Sequence, residues 1–165
     1  MDYIVLKIAD KYAIKGECTL DKHTDEINIL GYSTGVAMPL HFDSSGGGRA
    51  TGRAQVQDIT VSKYLDQATP KLNLACCLAT ELGKIYIYLI RTSGDKPIEA
   101  MTYTLENAMV SSVSLNAGGN ELPVESVTFN FTKITWSYQF ETKEGDQKGK
   151  VETEYDLEKA TGQGK

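Results

Sequence analysis

A chain of 165 residues, 41% hydrophobic and 24% charged, has the size and balance of one soluble globular domain with a real core. Its net charge of −5 argues against a nucleic-acid partner, whose phosphates reward basic faces. No apolar run approaches the roughly 20 residues that span a bilayer, so no membrane insertion is expected.

The first stretch, MDYIVLKIADKY, has no basic segment followed by a small-residue cleavage site. It reads as a first strand, with Ile4, Leu6 and Ile8 alternating on one face. The runs INILGYSTGVAM and RAQVQDITVSKY come next as strands, separated by the glycine-rich SSGGGRATGR. Thr69 as N-cap and Pro70 at the first turn then predict a helix over about 70–82. Leu72, Ala75, Cys76, Ala79 and Leu82 form its apolar face, and Gly83 stands where it should end. The strand KIYIYLIRTS carries Ile85, Ile87 and Leu89 toward a core and leaves Tyr86, Tyr88 and Ile90 on the other face. Such a second apolar face needs a cover, either the helix or another subunit. Next come IEAMTYTLENAMVSSVSL and VESVTFNFTKITWSYQF, separated by the turn NAGGNELP. In the second of these the apolar phase slips between Thr132 and Ile134, which predicts a β-bulge near Lys133; a similar slip separates Val56 from Ile59. KVETEYDL reads as an extra edge strand, with a frayed end from about Ala160. The fold class expected is mainly β: a β-barrel of two packed antiparallel sheets with one α-helix, forming a single domain over 1–159 and a flexible end at 160–165.

The glycine loop does not read as a phosphate cradle. GGGRATGRAQ lacks the Lys-Ser or Lys-Thr of a P-loop, and the residues after it alternate like a strand instead of opening a helix. His23, in the polar turn DKHTDE, and His41, beside the glycine loop, read as surface residues. No GxSxG elbow, CxxC or HExxH is present. The set Cys18, Cys76 and Cys77, odd in number and with two adjacent members, is a poor disulfide framework, so reduced thiols are expected. Carboxylate pairs such as Asp25 with Glu26, and Glu152 with Glu154, read as solvated charges. No catalytic residue, cofactor or metal is expected. The residues alone therefore define a mostly-β barrel with a hint of self-association, and two alternative readings stand beside that: a small-ligand-binding barrel and, more remotely, a small hydrolase.

Several stretches carry more than a generic β pattern. VQDITVSKYLDQATPKLNLAC (56–76), ENAMVSSVSL (106–115) and ELPVESVTFNFTKITWSY (121–138), with the early IKGECTLDKH, resemble the haemolysin-coregulated protein family, Hcp. The resemblance covers nearly the whole chain to about Tyr138. It implies a tube subunit of the bacterial type VI secretion system: a β-barrel whose copies form six-membered rings that stack into a tube. The implied partners are further copies of the chain, the spike protein, the sheath and baseplate, and small effectors carried in the lumen. Synthesis in the cytoplasm of a Gram-negative bacterium and export without a signal peptide are implied by the same resemblance.

Three surfaces are then expected. The loop at 41–53, with Gly46, Gly47, Gly48, Arg49, Gly52 and Arg53, corresponds to the family's extended loop and would reach an adjoining ring. Tyr86, Tyr88 and Ile90, with the helix, would contact a neighbouring subunit. Gly31, Ser33 and Gly35 would face the lumen, with Ser33 meeting cargo. Two departures stand out. Many relatives place a glycine just after the helix cysteine, whereas this chain continues CCLATELGK, leaving room for a longer helix. The acidic C-terminal strand is also longer than in the shortest members.

Overall fold

The computed structural model of the protein describes residues 2–42, 46–94, 96–141 and 147–164. The period-2 segments form β1 (Tyr3–Ile8), β2 (Ile27–Ile29), β3 (Gly31–Ser33), β4 (Val36–Ala37), β5 (Gln55–Val56) and β6 (Ile59–Tyr64). After the helix α1 (Thr69–Cys77) come β7 (Gly83–Ser93), β8 (Lys96–Asn116), β9 (Val124–Asn130), β10 (Lys133–Glu141), β11 (Gln147–Asp156) and β12 (Thr161–Gly164). The first sheet runs β12-β11-β10-β8-β7-β1-β2, and the second runs β3-β6-β9-β8. Strand β8 belongs to both: Met101–Glu106 pair with β10, and Met109–Asn116 pair with β9. On the other side the chain leaves the first sheet at Ile29 and enters the second at Gly31, and Leu30 N–H donates to the Ser62 carbonyl across 2.8 Å. The result is the expected β-barrel of two packed antiparallel sheets with a helix beside it. Leu6, Ile27, Ile59, Leu72, Ile85 and Phe129 are fully buried between them. Each such side chain contributes about 1.5–3 kcal/mol by leaving water.

The phase slip near Lys133 marks a change of sheet and not a bulge. Strand β9 ends at Asn130 in the second sheet, and β10 begins at Lys133 in the first. Phe131 and Ile134 are both buried, so the corner keeps the apolar register on each side. Facing it, β8 bends at Asn107, whose φ of 52° is tolerated by asparagine, and Asn107 Nδ2 donates to Thr132 Oγ1 at 2.7 Å. The slip after Val56 likewise separates two ladders, since β5 pairs only with β4 while β6 pairs with β3 and β9.

The helix is shorter than predicted. Thr69 is its first residue, after Ala68. Capping falls to Asp66, whose Oδ1 accepts from Ala68 N–H at 2.9 Å and whose carbonyl accepts from Thr69 N–H at 3.1 Å. Cys77 is its last residue, so the glycine-free CCLATELGK does not prolong it. Ala79 adopts φ 49°, and Thr80 N–H reaches back to the Ala75 carbonyl at 3.0 Å, the closure usually built on glycine. Ala79 is exposed and leaves the helix face, while Leu82 stays buried as lead-in to β7. Gly83, at φ 77°, opens β7, where a Cβ would come within 2.5 Å of Asp10 Oδ2. At the far end Ala160, at φ 53°, turns the chain back, and Thr161–Gly164 pair with Thr153–Asp156 of β11. Strand β12 thus occupies the end expected to be frayed, and it replaces β11 as the outer strand over those residues.

The second face of β7 is covered in part by the protein's own chain and not by the helix, with Ile90 buried and Tyr86 and Tyr88 half-exposed. Between β1 and β2, residues 16–26 fold back on themselves, with Gly16 and Cys18 N–H donating to the Asp25 and Glu26 carbonyls at 2.8 and 2.9 Å. This strap seals Val5, Cys18 and Ile90 into a small second core, flanked by Leu20 and Tyr88. His23 is part of it and is 4% exposed, which corrects its reading as a surface residue. Its Nδ1 lies 2.7 Å from Glu26 Oε2, its Nε2 lies 3.4 Å from Glu99 Oε1, and its ring packs on Tyr88. Glu26 is buried with it, unlike the solvated charge that its sequence context suggested.

Candidate assembly interface

The glycine loop is the turn end of a projecting two-stranded arm. Val36 pairs with Val56 and Ala37 with Gln55, and farther out Leu40 bridges Ala50. His41 N–H donates to the Arg49 carbonyl at 2.8 Å, and Thr51 N–H to the Pro39 carbonyl at 3.1 Å. Residues 46–53 are all exposed, including Gly46, Gly47, Gly48, Arg49, Gly52 and Arg53. Gly46 and Gly52 adopt φ of 81° and 115°, which suits glycine at the turn end of a ribbon. Asp43, Ser44 and Ser45 of the same stretch lie outside the described residues. The sequence reading missed the outgoing limb. Val36, Met38, Leu40 and Phe42 are all exposed, Phe42 to 92%. The signal was present in VAMPLHF, where apolar residues recur at every second position.

Strand β3 is oriented by a pair of phenols. Tyr32 packs toward the core, with its hydroxyl 3.1 Å from that of Tyr103 on β8. Burial pushes the Tyr103 phenol well above the usual tyrosine range, and the Tyr32 hydrogen bond adds to the shift. With Tyr32 inward, Gly31 and Ser33 face outward, on the side opposite the core. They begin two rows that cross the second sheet. Register places Gly31 beside Ser62, Ser126 and Ser114, and Ser33 beside Thr60, Thr128 and Ser112. Thr60 and Thr128 hydroxyls meet at 2.9 Å, and Ser62 Oγ donates to the Gly31 carbonyl at 3.3 Å. The two rows make a smooth wall of small hydroxyl groups without a charge. Gly35 lies beyond them at the root of the arm, where a Cβ would press on the Gln57 side chain. The alternating Ser and Thr of DITVSKY and VESVTFN held this signal, and sequence reasoning reached only its β3 end.

On β7, Tyr86 and Tyr88 stack with ring centroids 5.9 Å apart and are half-buried. Burial drives the Tyr88 phenol far above its ordinary range, with the Glu99 and Glu26 charges adding to it. Ile90 is fully enclosed beneath the strap, so its side chain has no surface to offer another molecule. Two other apolar patches are exposed on the flanks. One is Leu74 with Leu78 on the outer side of α1 and its end. The other is Tyr138, Phe140 and Val151, which continue the core face of β10 and β11 past the core itself. Among the described residues no group of His, Cys, Asp and Glu side chains is placed to hold a metal ion. Also among them, no helix is long and apolar enough to cross a membrane.

Comparison with known proteins identifies the family that this arrangement belongs to. The family model described as "Type VI secretion system effector, Hcp" matches residues 5–138. Protein hcp1 of Pseudomonas aeruginosa is 33% identical over 145 residues, covering 87% of each chain. The Major exported protein of the same organism is 26% identical over 132 residues, covering 75% of each. A solved structure described as that of a type six secretion system protein superposes with a TM-score of 0.87 at 27% identity, covering 98% of this chain and 99% of the other. The chain belongs to the Hcp family of type VI secretion tube proteins.

Proposed function

We propose that this protein closes into six-membered rings that stack into a tube, and that the tube is exported through a type VI secretion system with small effectors in its lumen. The observation that carries the reading is the arm at 35–57, an apolar and cationic ribbon built outward from the barrel, away from its own core. A monomer gains nothing from exposing Val36, Met38, Leu40 and Phe42, whereas a repeating assembly buries them. The hydroxyl rows from Gly31 and Ser33 suit a channel wall, since an uncharged, small-residue surface lets cargo pass without a tight anchor. Ring closure needs contact between unlike patches, and the flanks supply Leu74 with Leu78, Tyr138 with Val151, and the Tyr86–Tyr88 stack. Spike, sheath and baseplate act on such a tube from outside. Export of this chain is also supported by its likeness to the Major exported protein.

The test is assembly by the purified chain, followed by sedimentation and negative-stain imaging over a wide concentration range. Rings are expected, and rings that stack as concentration rises. Deleting Gly46 to Arg49 should leave the fold and single rings intact and shorten the stacks. A species that stays monomeric throughout would overturn the reading.

A further inference from the structure

We propose that the arm of one copy seats in an acidic cleft on the flank of the next copy. This rests on the tube reading above and names the surface that receives the arm. The cleft opens where the strap, the start of β1 and the β2–β3 bend meet, with a volume of about 610 Å³. A shallower extension of about 200 Å³ continues past Ile29 toward Tyr64 and Leu65. Its exposed apolar members are Tyr3, Leu30, Tyr64 and Leu65. Its charged lining is Asp2, Glu17, Asp21 and Asp66, the last paired with buried Lys63, and among the described residues neither lysine nor arginine lines it.

The arm carries the converse pattern. Its apolar stripe ends in Phe42, and its returning limb holds Arg49 and Arg53, which have no ion-pair partner among the described residues. On a chain of net charge −5, a ribbon carrying two arginines is the local exception. An apolar centre flanked by opposite charges is what a specific contact between two surfaces requires.

Topology makes the partner a second copy. Leu30 in the cleft and Phe42 on the arm lie on one outward run of chain, and the intervening residues at about 3.3 Å each separate them by up to about 40 Å. Phe42 touches almost nothing of its own chain, its own cleft included. A copy displaced along the run brings its arm over the next cleft. That contact joins unlike patches, and with the copies displaced along the run it repeats as an open stack.

Charge reversal in the full-length protein tests the assignment. The arm variant is Arg49→Glu with Arg53→Glu, the cleft variant is Glu17→Lys with Asp21→Lys, and Phe42→Ser removes the apolar tip without touching the barrel. Each should raise the concentration at which rings stack by about tenfold or more, while single rings persist. Mixing the arm and cleft variants should restore stacking, because each then offers the other a complementary surface. If the cleft variant stacks as the parent does while the arm variant and Phe42→Ser fail, the cleft assignment falls and the tube reading stands. If all three stack normally but are no longer exported, arm and cleft serve a different protein and the proposal is overturned. A parent chain that forms no rings overturns both readings.

Discussion

Lys63 and Glu125 face each other across the β6–β9 ladder with Nζ 2.5 Å from Oε1, and neither side chain reaches solvent. Lys63 also meets Asp66 Oδ1 at 2.8 Å and donates to the Tyr64 carbonyl at 2.8 Å, while Thr69 Oγ1 donates to Glu125 Oε1 at 3.0 Å. The group ties two strands to the start of α1. Glu125 Oε2 has no hydrogen-bond partner among the described residues, which leave the network incompletely satisfied. Lys63→Ala would strand the carboxylate in the core and should cost about 3–5 kcal/mol, read from the urea midpoint. Lys63→Met combined with Glu125→Leu should recover part of that loss, because the Glu125 charge is then gone and Asp66 keeps its hydrogen bond from Ala68 N–H.

The end of α1 is strained at one exposed residue. Ala79 holds φ 49°, a region that favours glycine, and its side chain is not buried. Ala79→Gly should raise stability by about 1 kcal/mol, with an unchanged denaturant slope. A loss of stability would show that Ala79 makes a contact worth more than the strain.

Gly16 sets how closely the strap lies on the barrel. A Cβ there would come within 2.5 Å of the Glu26 carbonyl oxygen and 2.6 Å of Ile27 Cα, both backbone atoms. Gly16→Ala should lift the strap, cost about 1–3 kcal/mol and expose Cys18, which is buried in the parent. The readout is the rate at which Cys18 reacts with a thiol reagent; exposed Cys77 serves as the internal control.

Acid should loosen the corner between β8 and β10. Burial alone would raise the Glu106 carboxyl, but hydrogen bonds and charge from Lys84 and Lys133 outweigh it and hold it below the usual glutamate range. The distances are 3.0 Å to Lys84 and 3.3 Å to Lys133, which also meets Glu154 at 3.2 Å. A carboxyl lowered on folding contributes stability that is fully present above the unfolded glutamate value and is lost as pH falls through its folded value. Glu106→Gln should therefore flatten the acid limb of a stability-versus-pH curve and leave its shape above pH about 6 unchanged.

The barrel class was legible because strand alternation and burial obey the same period of two, as Ile85, Ile87 and Leu89 show by lying in the core where the pattern put them. Corners were not legible. A change of sheet at Thr132 and a bulge produce the same slip in apolar phase, and only the ladder partners tell them apart. The early stop of α1 was hidden because Ala79 carries no glycine signature for its backbone angle. Ile90 and His23 were misjudged together, since a polar loop between two strands gives no sign in sequence that it folds back over the sheet beside it. The arm's glycines were visible at once, whereas its exposed apolar side chains lie in the limb before them. Of the hydroxyl wall, Ser33 was accessible to reasoning within one strand; its neighbours Thr60, Thr128 and Ser112 are assembled by register across strands far apart in the chain.

Strand β8 gives the barrel its mechanical character. Its 21 residues are hydrogen-bonded in both sheets, and the bend at Asn107 lies between the two ladders. Force applied to one sheet is therefore passed to the other through covalent backbone, with no sheet-to-sheet seam along this strand that could slip. A load on β8 is therefore shared at once by the backbone hydrogen bonds of both ladders.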